Sequence, residues 1–139
     1  MNKNLDKIDS FLKKHHVLTL ATNGEQELSA CSLFYVFSRD YSSFIVASSE
    51  DTVHVKNALN NSKVAGTVVL ETKLVGKIQG VQFKGEFLEL EDKTLKNLYF
   101  KTFPYALSMN PKLWQIKINY FKMTDNTFGF GNKIIWQVL

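Results

Sequence analysis

Leu5, Ile8, Phe11 and Leu12 recur at helical spacing with lysines and aspartates between them, so residues 3–15 are predicted to form an amphipathic helix. The period then changes. Residues 17–22 are apolar and β-branched, and Asn23-Gly24 follows, a pair that suits a hairpin turn with positive φ. Residues 28–37, LSACSLFYVF, are nearly all apolar and read as a second strand buried on both faces. After a turn over 38–42, residues 43–47 give a third strand.

The stretch SFIVASSEDTVHVKNALNNSKVAGTVVL reads as strand, tight turn, short helix, strand. Ser48, Ser49, Asp51 and Thr52 are all residues that cap a helix start, and residues 64–70 resume the β pattern. A long fifth strand spans 77–90. Its interior Gly80 and Gly85 imply a bulge, a barrel corner or a close approach to the backbone. Asp92 caps a second helix with Leu95, Leu98, Tyr99 and Phe103 on its apolar face, and Pro104 is expected to stop it. Trp114, Ile116, Ile118 and Tyr120 alternate with polar residues in a half-buried sixth strand, Asp125-Asn126-Thr127 turns the chain, and 134–138 form a short terminal strand.

The pattern therefore predicts a mainly β protein with flanking helices: six or seven strands and two or three short helices. Strands and helices do not alternate strictly, and short turns join most strands, which favours antiparallel pairing. Closing such a sheet removes its edges, so a small antiparallel β-barrel with helices packed outside follows from the pattern alone. Residues 1–139 read as one domain.

Composition narrows the function classes. Hydrophobic residues make up 45% of the chain, with only two prolines, as a folded globular protein requires. The formal charge of +4 favours anionic ligands. Arg39 is the sole arginine, however, and arginine is the usual fork-shaped contact to guanine edges and phosphates, so a nucleic-acid partner is not expected. The single Cys31 cannot form an internal disulfide, which fits a reducing, cytoplasmic compartment. No continuous hydrophobic stretch suggests a signal peptide or a membrane span.

No catalytic motif of high specificity is present, and FGFGN at 128–132 lacks the third glycine and following helix of a dinucleotide fingerprint. The richest candidate is the turn after the third strand. The first N–H groups of a helix lack partners and its dipole favours negative charge, so Ser48, Ser49, Thr52, His54 and Lys56 together would suit a phosphate. Glu50 and Asp51 oppose that reading by repulsion, and capping alone would explain the serines and threonine. His54 reads either as an exposed helical residue or as a donor to an anion, and Lys56, two positions on, falls on another side of the helix. His15 and His16 fit the favourable dipole at a helix end. Cys31 reads as a small core residue, and Trp136 either packs or covers a ring ligand or subunit seam.

Three phrases, FIVASSEDTVHVKNALNNSKVAGTV, IQGVQFKGEFLELED and DNTFGFGNKIIWQ, in this order and spacing, resemble the pyridoxamine 5′-phosphate oxidase-like flavin-binding split barrels. The similarity is greater to a small, poorly characterised bacterial branch and covers most of residues 5–137. The resemblance implies a homodimer of six-stranded antiparallel split β-barrels with FMN in two grooves at the subunit interface. It places Ser48 and Ser49 at the phosphate turn, with Thr52 and Lys56 beside it, and His54 where the family commonly has a phosphate-contacting Lys. It also lays the backbone of Ser32, Leu33 and Phe34 along the isoalloxazine and brings Gln79 and Gln82 towards the flavin.

His54 for Lys, and Ser62 for the family's Pro, are departures, because imidazole is only partly charged near neutral pH. The arginine-containing substrate motifs of a true pyridoxamine phosphate oxidase are missing, so that activity is not expected. The sequence expectation is an FMN-binding split-barrel dimer, as a flavin-dependent oxidoreductase of unknown substrate. The alternative is a non-catalytic flavin- or haem-binding or storage protein of the same fold. No residue reads as a catalytic acid or base, and no metal cluster is expected.

Overall fold

The structure is a computed structural model and describes residues 3–24 and 27–138. It contains four helices, α1 (Lys3–Lys13), α2 (Val53–Asn60), α3 (Lys93–Thr102) and α4 (Pro104–Met109). Its eight strands are β1 (Val17–Asn23), β2 (Leu28–Phe34), β3 (Val36–Ser38), β4 (Ser43–Ala47), β5 (Lys63–Val69), β6 (Gln79–Glu89), β7 (Leu113–Asp125) and β8 (Lys133–Gln137).

All the strand pairs are antiparallel and belong to one sheet, ordered β2-β1-β5-β6-β7-β4-β3, with β8 added on β7. The thirteen-residue β7 organises it. One edge pairs with β6 over its whole length, while the other is shared end to end by β4 (at Leu113–Lys117, by register) and β8 (at 120–124). The six or seven strands expected from the pattern, and the six of the resembled family, become eight because the 28–37 run divides at Tyr35; the expected terminal strand is present as β8, paired with β7.

The sheet curls because β6 and β7 slip register between Lys84 and Gly85, where a bulge bends the strands. Gly85 is required there: a Cβ would lie 2.2 Å from the Lys117 carbonyl oxygen. The concave side holds the main core, with Leu18 and Leu20 of β1, Phe44 and Val46 of β4, Phe83 of β6 and Ile116 and Phe121 of β7. Helix α1 covers it with the fully buried Ile8 and Leu12 and with Phe11, each contributing about 1.5–3 kcal/mol by leaving water. A smaller cluster under α3 gathers Val36, Ile45, Leu90, Leu95, Tyr99 and Leu113.

Four expectations are corrected or extended. The strand buried on both faces is β4, clamped between the two clusters, whereas β2 is an edge strand with Leu28 76% and Phe34 55% exposed. The β1–β2 hairpin forms, yet Asn23-Gly24 does not make a positive-φ turn: the last pair is Asn23 with Leu28, and among the described residues the positive-φ glycines are Gly129 and Gly131. Gly24 is needed for space instead, since a Cβ there would meet Asn57 at 2.5 Å. Pro104 follows the end of α3 at Thr102, as expected, and in addition opens α4, a role its fixed φ permits. Finally, the sixth expected strand extends to Asp125, because three neighbouring strands satisfy its backbone.

Candidate functional site

One end of the sheet path, β2, comes back against β4 near the other end without pairing with it. Strand β2 lies against β4 and α2 but shares no ladder with them, so its outer edge keeps unpaired backbone groups facing an open seam. Ser32, Leu33 and Phe34 occupy that edge strand. On the other side stands the turn from β4 into α2.

The turn is held from several directions. Thr52 caps α2, its hydroxyl accepting from the Val55 amide at 3.3 Å and donating to the Ser49 carbonyl at 2.9 Å. The Trp114 indole N–H donates to the Ser48 carbonyl at 2.9 Å, and the Ser48 amide donates to the Lys112 carbonyl at 3.1 Å. Ser48 Oγ sits 2.7 Å from His54 Nε2, with Thr52 Oγ1 at 3.4 Å. His54 is only 9% exposed, and burial pushes its pKa below the ordinary histidine value, which favours the uncharged ring. Of the two readings open for His54, the exposed helical residue is excluded.

Beside this cluster the Ser49 hydroxyl donates to the Asp51 carboxylate at 2.6 Å, which holds Asp51 below the usual carboxylate range. Lys56 stands on the exposed side of α2, as its spacing from His54 requires, and its charge acts on Asp51. Burial pushes the Cys31 thiol up, in keeping with a small residue packed on the core from β2. Arg39 pairs with Asp6 of α1 and is not directed to the seam.

Thus Ser48, Ser49, Thr52 and His54 come together at the start of α2, while Ser32, Leu33 and Phe34 lie on β2, the strand that touches both β4 and α2. The other candidates lie elsewhere in the chain. Gln82 points outward from β6, in the register row Ser32, Thr19, Thr67, Gln82, three strands from β2 and therefore roughly 14 Å from Ser32. Gln79, an odd number of residues away, takes the opposite face of β6 and lines a hollow under α1. Trp136 of β8 packs on Phe121 at 5.8 Å on the core side. Among the described residues no cluster of His, Cys, Asp or Glu could hold a metal, and no helix is long and apolar enough to cross a membrane.

Sequence reasoning missed two residues that build the turn. Asn57, 5% exposed, donates through Nδ2 to the Glu27 carbonyl at 2.8 Å and to Thr22 Oγ1 at 3.2 Å, fastening α2 to the β1–β2 hairpin. Its signal was present: it follows His54 by three positions, and so shares its face. Trp114 had none, because only the β4–β7 register brings it under Ser48.

A curled antiparallel sheet with an open seam and a helix-capped turn on one lip is the fold of the pyridoxine phosphate oxidase-like split barrels. A haem-binding protein from Mycobacterium smegmatis superposes with a TM-score of 0.78 at 13% identity, over 99% of this chain and 59% of that one. A Clostridium acetobutylicum protein related to general stress protein 26, of the pyridoxine phosphate oxidase family, gives 0.71 at 15% identity, over 98% and 95%. A FAD-binding protein from Mesorhizobium loti gives 0.69 at 15%, over 86% and 90%. No family model matches the chain. Its sequence is 38% identical over 138 residues to a UPF0306 protein of Photorhabdus laumondii, covering 97% of this chain and 96% of the relative. It is 37% identical over 136 residues to the UPF0306 protein YhbP of Escherichia coli, covering 96% and 97%. The chain belongs to the UPF0306 family.

Proposed function

We infer that the protein binds FMN in the seam between the β2 edge and the Ser48–His54 turn, as a homodimer in which a second copy completes the groove. The observation that carries this reading is the convergence of Ser48, Thr52 and His54 at the start of α2, opposite the unpaired edge of β2. The donor set fits a phosphate. Thr52 spends its proton on Ser49, but with Nε2 protonated His54 donates to Ser48 Oγ and leaves the serine proton for an anion oxygen. The first-turn amides of α2 add to this. Asp51 weakens the site, and its carboxylate is partly occupied by Ser49.

The need for a second copy rests on Gln82. It lies on the outer sheet surface, where the small residues Thr19, Ala21, Ala65 and Thr67 are flanked by Lys84 and Tyr120, with adjoining depressions of about 540 and 290 Å³. Two such surfaces packed together would bring Gln82 of one chain towards the seam of the other. Bound FMN supplies redox chemistry. The chain's own residues anchor the phosphate, lay backbone along the ring and exclude water, and none is placed as an acid or base. With Arg39 tied to Asp6, the seam has no arginine for a second phosphorylated substrate, in line with a protein that is not a pyridoxamine phosphate oxidase.

Haem is the second reading, favoured by His16, an exposed imidazole 5.6 Å from the exposed Phe34 ring, which in turn stacks on Phe103 at 5.7 Å. An absorption spectrum of the purified protein, followed by titration with FMN and hemin, tests both. Flavin bands or saturable FMN binding support the first reading and a shifted Soret band the second. A bare spectrum with neither ligand bound removes both.

A further inference from the structure

We propose that the hollow between α1 and the β7–β8 loop is a second ligand site, for a small aromatic anion bearing a carboxylate or phosphate. The hollow measures about 410 Å³, within the range of small-molecule sites. It lies at the Asp125 end of β7, whereas the Ser48 turn is held at the Leu113 end, so the two sit at opposite ends of the thirteen-residue strand.

Its walls suit a flat anion. Lys7, Ser10 and Lys14, spaced i, i+3 and i+7 along α1 and the turn that follows it, line the hollow from one side, the two lysines bringing its cations. Phe11 and Met123 form an apolar floor, Gln79 adds an amide from the inner face of β6, and Thr127 and Phe128 close the opposite side. The Lys7 ammonium already stands 4.7 Å from the centre of the Phe128 ring, so a bound ring would stack on Phe128 with its acid group beside the cations.

The charge balance favours an anion despite two aspartates in the wall. Asp6 is paired with Arg39. Asp125, 5% exposed, accepts from the Thr127 amide at 2.9 Å and from its hydroxyl at 2.5 Å. Among the described residues neither Lys7 nor Lys14 is within ion-pair distance of a carboxylate. The surplus positive charge therefore faces the hollow.

The loop is built to hold its aromatic wall still. Asn126 donates through Nδ2 to the Val75 carbonyl and through its amide to the Ile78 carbonyl, both at 2.9 Å. Its side-chain oxygen accepts from the Gly131 amide at 2.8 Å. Gly129 and Gly131 have φ of +122° and +76°, which other residues rarely adopt, and this bends the chain back so that Phe128 stays 64% exposed over the hollow.

The test is a titration of the full-length protein with salicylate, followed by amide ¹H–¹⁵N correlation spectra, with benzyl alcohol as the uncharged control of similar size. Salicylate is expected to shift the amides of Lys7, Ser10, Gln79, Thr127 and Phe128 saturably. Benzyl alcohol is expected to do so at least tenfold more weakly. The double variant Lys7→Gln, Lys14→Gln should weaken salicylate at least tenfold, its remaining spectrum showing that the fold is kept. Shifts that do not saturate, that centre on Ser48 and His54, or that survive the double variant would overturn the proposal, as would equal binding of benzyl alcohol. Running the titration with and without FMN keeps this result separate from the flavin reading.

Discussion

His54 Nε2 lies 2.7 Å from Ser48 Oγ in a site that leaves the imidazole only 9% exposed. Because burial lowers the histidine's pKa, the unfolded chain takes up a proton before the folded one does. The contribution of His54 is therefore unchanged at high pH, and stability is lost as pH falls through the ordinary histidine value of 6.5 towards the depressed folded value. Thermal unfolding should show a melting temperature that drops between pH 7.5 and pH 5. His54→Gln should flatten that drop, leaving the part due to His15, whose pKa burial also lowers. An unchanged pH profile in His54→Gln would refute this.

Asn57 ties α2 to the hairpin through Glu27 and Thr22, so Asn57→Ala leaves the buried Thr22 hydroxyl and the Glu27 carbonyl without that donor. The expected loss is about 1–3 kcal/mol in urea unfolding. Since the same bonds fasten α2 to the β1–β2 hairpin, the variant should also bind FMN more weakly at a temperature where it remains folded.

The division between what the chain announced and what it hid follows from range. Elements defined by local period or caps were legible: α1 from Leu5, Ile8, Phe11 and Leu12, and α2 from Thr52. The bulge at Gly85 was legible as well, because a glycine inside an apolar strand has few other uses. What depended on pairing was not. An apolar run cannot tell an edge from a centre, so β2 read as buried when β4 is the clamped strand. The candidate site divides the same way: Ser48, Ser49, Thr52 and His54 are adjacent in sequence and converge, while Gln79 and Gln82 are separated by strand parity.

Gly85 has no room for a side chain, with the Lys117 carbonyl oxygen 2.2 Å and the Ile118 Cα 3.2 Å from a built Cβ. The obstacle is backbone and cannot rotate aside. Gly85→Ala should cost about 1–3 kcal/mol or more in equilibrium unfolding. Gly76→Ala meets nothing within 4 Å and should stay within about 0.5 kcal/mol of the parent, which provides the control.

Asp51 puts a carboxylate at the same helix start that would receive the flavin phosphate. In Asp51→Asn the side-chain oxygen can still accept from Ser49 while the charge is gone. FMN binding, followed by quenching of flavin fluorescence, should tighten roughly two- to fivefold, as expected for one charge near a helix end. Riboflavin, which has no phosphate, should bind unchanged. Equal tightening of both flavins would place the phosphate away from α2.

The proposed dimer gives the most demanding prediction. Ala65 lies exposed on β5, registered with Ala21 on one side and Lys84 on the other, at the centre of the two outer depressions. An arginine there projects into solvent in a single chain and disturbs no core contact, so Ala65→Arg should fold with a melting temperature near that of the parent. Packed against a second copy, it would add a long cation to the proposed interface, beside Lys84. Sedimentation velocity should therefore find the parent as a dimer and Ala65→Arg as a monomer. FMN affinity should fall at least tenfold in the variant, although no residue of the Ser48 turn has changed. A monomeric parent would remove the second copy from the reading, and a monomeric variant that still held FMN tightly would show that the seam of one chain suffices.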